Sequence, residues 1–179
     1  MTTVCTRCLD DVIYENMSLT IHGHVKPNAK VFTIDVMKDN DIFFHFKPCF
    51  GNDGRHMIKR NSLIGREWGP EEADTPHFPF ARGKSFVVKI VCTNEEFKVD
   101  VNGSHLLNFR CRQPDITKIN KVIIFQDVIT MSVRVEPCGN TPQSDMLGKT
   151  EHPAGGCGLL AEVQPCTPHL NHKRSMYLK

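Results

Sequence analysis

The chain has 179 residues, 40% of them hydrophobic and 23% charged, with a mean hydropathy of -0.30. That is the composition of a soluble protein and the length of one domain plus an appendage. Lysine and arginine number 22 against 20 acidic residues, a net charge of +2, too balanced for long-range attraction to nucleic acid or an anionic membrane.

No stretch approaches the ~18 consecutive apolar residues of a membrane-spanning helix. The N-terminal Met1-Thr2-Thr3-Val4-Cys5-Thr6-Arg7-Cys8 lacks the basic cap and apolar run of a secretory signal. Eight cysteines (Cys5, Cys8, Cys49, Cys92, Cys111, Cys138, Cys157 and Cys166) follow no regular spacing, so they are expected to be reduced thiols of a cytoplasmic chain. The sequons at Asn16 and Asn102 are then expected to stay unmodified.

Strand signals follow one another through the first three quarters. Residues 31–36 and 42–47 flank a polar Lys38-Asp39-Asn40-Asp41 turn, and 85–91 and 97–101 come next. Asn102-Gly103 then separates 97–101 from 105–109, the strongest short hairpin cue, because both turn residues must take positive φ. A single helical turn is expected at 114–119, and two strands, 122–125 and 129–135, close the region. Many short strands with turns between them predict an all-β fold, a two-sheet antiparallel sandwich or barrel.

Residues 138–179 carry four prolines, five glycines and three of the eight cysteines, with no apolar period. The expected division is a domain over 10–137 and a Pro/Gly/Cys-containing tail over 138–179, largely disordered and dispensable for the fold.

Alternation along 42–47 puts Ile42, Phe44 and Phe46 on the core face, and Phe43, His45 and Lys47 on the other. Lys59 and Asn61 share a face in the same way, and Trp68, the one tryptophan, follows with Glu71. Imidazole, amide, indole and carboxylate on one sheet face suit a sugar. Hydroxyls need mixed donors and acceptors, and the apolar side of a pyranose needs a flat aromatic platform.

His45-Phe46-Lys47-Pro48-Cys49-Phe50, then Asn61, then Trp68-Gly69-Pro70-Glu71-Glu72, resembles the galectin signature His-x-Asn-Pro-Arg, Val-x-Asn, Trp-Gly-x-Glu-x-Arg. The likeness continues through Phe78-Pro79-Phe80 and 83–86 to the hairpin at 97–107, over roughly residues 10 to 136. The resemblance implies a jelly-roll sandwich. It also implies a site in which His45, Asn61 and Glu71 bond the hydroxyls of a β-galactoside while Trp68 stacks beneath the ring.

The departures from that signature bear on affinity. Lys47 stands at the family's Asn, Cys49 at its first Arg, Lys59 at its Val and Ala73 at its last Arg. A guanidinium fork orients a carboxylate and reaches two hydroxyls together, which neither cysteine nor alanine does. Lys47 and Lys59 are open to two readings: solvated strand lysines, or seats for sulfated or sialylated glycans. Arg55 and Arg66 lie near loop ends, where they are candidates to replace a lost arginine; Arg60 points away from the Asn61 face.

Two functions follow. One is a β-galactoside-binding lectin with altered or weakened specificity. The other is a galectin-fold protein that has lost lactose binding and acts through protein contacts. An enzyme is not expected, since His45 and Cys49 lie about 13 Å apart along one strand and no carboxylate pair or phosphate-cradling loop accompanies them. No cofactor is implied. A metal set from Cys5-x-x-Cys8 and Cys166-x-x-His169 is weighed and set aside in favour of loose thiols. The expected partners are galactoside-bearing glycans or glycoproteins, without nucleic acid or membrane insertion. Paired edge strands leave a homodimer open, and the resemblance implies that any export proceeds without a signal peptide.

Overall fold

A computed structural model describes residues 3–9, 13 and 15–138. Its strands in chain order are β1 (Thr3–Cys8), β2 (Met17–Val25), β3 (Phe32–Lys38), β4 (Asp41–Cys49), β5 (Met57–Ile64), β6 (Glu67–Trp68), β7 (Ser85–Cys92), β8 (Glu96–Val101), β9 (Ser104–Arg110), β10 (Lys121–Gln126) and β11 (Val128–Pro137). They form two antiparallel sheets, six-stranded β1-β10-β3-β4-β5-β6 and five-stranded β11-β2-β7-β8-β9. The fold is the all-β two-sheet sandwich expected from the sequence.

The core is aromatic and joins the sheets. Phe44 of β4 stacks on Phe97 of β8 and Phe109 of β9, with ring centroids 5.1 and 5.0 Å apart. Phe32 of β3 stacks on Phe86 of β7 at 5.1 Å. Each pair spans the two layers, so the sheets are held in register by specific ring contacts as well as by apolar burial. Ile42, Phe44 and Phe46 are fully buried, as alternation requires.

Local chemistry sets the turns. Asn102 and Gly103 have φ of 51° and 81° and close the β8–β9 hairpin, the geometry that twisted strands prefer. A 3-10 turn at Ile116–Lys118 is capped by Asp115, whose carboxylate accepts from the Thr117 N–H, matching the expected helical turn. β1, β2 and β6 are additions to the strands read from the sequence. β1 pairs along its whole length with β10, as an edge strand without a run of β-branched residues. β2 is central in its sheet and contains Gly23, where a Cβ would collide with the Phe86 ring.

Candidate functional site

The register of three strands builds the site. Asp35 of β3 lies opposite His45 of β4, and His45 lies opposite Asn61 of β5. One step along, Lys47 faces Lys59, and Cys49 faces Met57. A bulge between Ile42 and His45 sets two β4 residues against one of β5, re-aiming the strand at this point. Phe43, which alternation puts outside the core, is buried as well.

Beyond β5 the chain turns through Gly65 and Arg66, with φ of 59° and 72°, and runs back along the strand. Leu63 pairs with Trp68. The Gly69 N–H donates to the Ser62 carbonyl at 2.9 Å, and Arg60 and Glu72 exchange backbone hydrogen bonds of 2.8 and 2.9 Å. This return segment delivers Trp68 and Glu71 to the face that carries His45 and Asn61.

All six residues picked from the sequence gather here, in different states. Trp68 keeps 45% of its surface exposed, while His45 and Asn61 keep 9% and 6%. The His45 and Trp68 rings meet edge-on at 5.0 Å. Lys59 forms a 3.0 Å ion pair with Glu71. Both are substantially exposed, so the pair contributes ~0–1 kcal/mol. Lys47 is half-buried. Burial pushes the Cys49 thiol up, partly offset by the neighbouring Lys47 and Lys59 charges, and Glu71 adds to the rise.

Two residues that shape the site were not singled out from the sequence. Asp35 is only 1% exposed, and its carboxylate accepts from His45 Nδ1 at 2.6 Å. In the neutral ring this leaves Nε2 with a lone pair to accept from a hydroxyl. The available signal was one acid inside the apolar run Val31-Phe32-Thr33-Ile34-Asp35-Val36. Arg112, in the loop after β9, donates to Asn61 Oδ1 (2.9 Å), Ser62 Oγ (3.2 Å), the Pro70 carbonyl (2.8 Å) and Glu72 (3.1 Å). A Cβ on Gly69 would strike its Nη1, so glycine leaves room for the guanidinium.

Asn61 is therefore engaged from several sides. Its Oδ1 accepts from Arg112 and from the Ser62 N–H, and its Nδ2 donates to the Gly69 carbonyl at 2.9 Å. An amide nitrogen carries two hydrogens, so one N–H is left to offer. The other arginines lie elsewhere. Arg55 is paired with Asp53 in an exposed loop, and Arg66 is an exposed turn residue. Arg60, 2% exposed, points inward as alternation predicts. It donates to the carbonyls of Ile58 (3.0 Å) and Asp74 (2.5 Å) and to the Asp74 carboxylate (2.6 Å), and that contact holds the Asp74 carboxyl below the usual range. Glu72 bridges Arg60 and Arg112.

Among the described residues no group of three or more His, Cys, Asp or Glu side chains is placed to hold a metal ion. Cys166 and His169 lie outside those residues. No helix among the described residues is long and apolar enough to cross a membrane.

A two-sheet sandwich with this row of side chains on one face defines a class of sugar-binding protein. Residues 4–135 match the family described as galactoside-binding lectin, and the chain belongs to that family, the galectins. It is similar to galectin-3 of Oryctolagus cuniculus, 39% identical over 116 residues, which are 65% of this chain and 48% of that protein. It is also similar to galectin-4 of Homo sapiens, 35% identical over 120 residues, 66% of this chain and 36% of that one. The chain thus matches half or less of the length of these relatives. In fold it is similar to the Caenorhabditis elegans galectin LEC-6, with a TM-score of 0.67 at 22% identity, covering 75% of this chain and 91% of that chain. A toad ovary galectin in complex with thio-digalactose superposes with a TM-score of 0.65 at 18% identity, covering 74% and 98%.

Proposed function

We propose that the protein is a β-galactoside-binding lectin of weakened or altered specificity. The observation that carries this reading is the exposed Trp68 indole beside His45, with Asn61 and Glu71 on the same face. The indole is the platform for the apolar side of the sugar. His45 Nε2 and the remaining Asn61 N–H bond ring hydroxyls, and Glu71 accepts from hydroxyls along the sugar.

The two missing guanidiniums, at Cys49 and Ala73, reduce affinity. Each lost hydrogen bond is worth ~0.5–1.5 kcal/mol, and more where a charge takes part. Lys59 replaces the orienting effect on Glu71 but not the second donor. Lactose binding is therefore expected to be weak.

The commitment of Asn61 to Arg112, Ser62 and Gly69 supports a second reading, a galectin-fold protein without lactose binding that acts through protein contacts. A glycan array separates the two when run beside Trp68→Ala. The lectin reading expects galactoside signals that the variant loses. Absence of galactoside signal favours the second reading, and signal kept by the variant places the binding elsewhere.

The reading extends to the rest of the chain. The lectin unit is taken as residues 10–137 and residues 138–179 as an appendage dispensable for the fold. The assembly that goes with it is a homodimer through the edge strand β11, where Ile129 and Met131 stand exposed. Its place is the cytoplasm, with export that uses no signal peptide; thiols at Cys8, Cys49, Cys92, Cys111 and Cys138 support a reducing origin. Its chemistry is binding, without catalysis.

A further inference from the structure

We propose that the galactoside taken by this face carries an anion, a sulfate or a carboxylate, and that Lys47 is its seat. This rests on the lectin reading above and narrows it to a substrate class.

Lys47 and Lys59 are direct cross-strand partners at the middle of the face, and like charges placed so are mutually destabilising. A carboxylate offsets only one of them: Glu71 pairs with Lys59 at 3.0 Å. Three further carboxylates near the site are committed. Asp35 is buried against His45, Glu72 bridges Arg60 and Arg112, and Asp74 holds Arg60. Cys49 is the next residue of the same face, and burial keeps its thiol from supplying a negative charge. Lys47 makes no ion pair or side-chain hydrogen bond among the described residues, so a half-buried lysine stands on the face of the proposed sugar platform with no counter-charge of its own.

Reach and chemistry agree with that seat. Lys47 follows His45 by two residues on the same strand face, about 7 Å along β4, and its flexible stem lets the ammonium swing toward the edge of a ring held over Trp68. An ammonium donates but does not accept. It is a poorer partner for a hydroxyl than the amide of the family signature, and a better one for a sulfate or carboxylate oxygen, where the bond is charge-assisted.

The test is calorimetric titration of the full chain with lactose, lactose 3′-sulfate and 3′-sialyllactose, at low and at raised salt. At least one anionic sugar is expected to bind about five-fold tighter than lactose, the scale of one partly exposed ion pair, with a gain that shrinks as salt rises. Which sugar gains tells sulfate from carboxylate. Lys47→Gln is expected to bring the ratio of anionic to neutral affinity to one, and Lys47→Glu to invert it. Lactose bound as tightly as both anionic sugars, or a preference that survives Lys47→Gln, overturns the inference and leaves the lectin reading standing. Failure of all three sugars to bind overturns both.

Discussion

In the proposed site, His45 acts only as well as Asp35 holds it. A carboxylate is an acceptor at both oxygens, so it favours the proton on Nδ1 and leaves the Nε2 lone pair free to accept; an amide accepts or donates and lets the ring choose. Asp35→Asn is therefore expected to leave the fold and the Trp68 emission unchanged while weakening lactose binding by about 1 kcal/mol, roughly five-fold. Titration followed by Trp68 fluorescence reads this directly. Unaltered affinity would mean that the imidazole needs no orienting partner. At this scale the sequence reaches far but unevenly. The grouping of His45, Asn61, Trp68 and Glu71 on one face is legible because a signature puts them at short spacings. Asp35 is not, because its role comes from a register that only the paired β3 and β4 define. Arg112 is not, because 51 residues separate it from Asn61 and nothing local marks a loop arginine as a tie.

Among the elements, the return segment after β5 depends on long-range support. It pairs with β5 at few points, and Arg112 adds four contacts that bind Asn61, Ser62, Pro70 and Glu72 together. Arg112→Met keeps the packing of the side chain over Phe109, where the guanidinium carbon lies 4.7 Å from the ring centroid, and removes the donors. The expected result is a loss of about 1–2 kcal/mol in urea unfolding together with faster quenching of Trp68 by acrylamide. Arg112→Lys should not restore either property, because a single ammonium does not span the acceptors that a planar fork reaches. Stability and quenching equal to the native protein would show that the segment is held by its backbone alone. The strands themselves divide by the same logic. β7, β8 and β9 are legible from alternation and the Asn-Gly turn. β2 hides its alternation behind Thr20, His22, Gly23 and His24, and β1 reads as polar and cysteine-bearing although β10 pairs with all of it.

For the whole molecule, the two-layer sandwich is what turns scattered residues into one surface. The aromatic pairs Phe44–Phe97 and Phe32–Phe86 lock the layers, and the six-stranded sheet then presents Asp35, His45, Asn61 and Trp68 side by side. Fold class was legible because strand length, turn chemistry and periodicity all agree. The pairing of charges on that face was not, since it depends on which of several lysines and arginines meets which carboxylate across strands. The measurement that tests the central claim most directly is an amide and indole NMR titration of the full chain with lactose. Shifts confined to the Trp68 indole and to the backbone around His45, Asn61 and Glu71 are the predicted result. A shift pattern centred on another face, or none at saturating sugar, would contradict it.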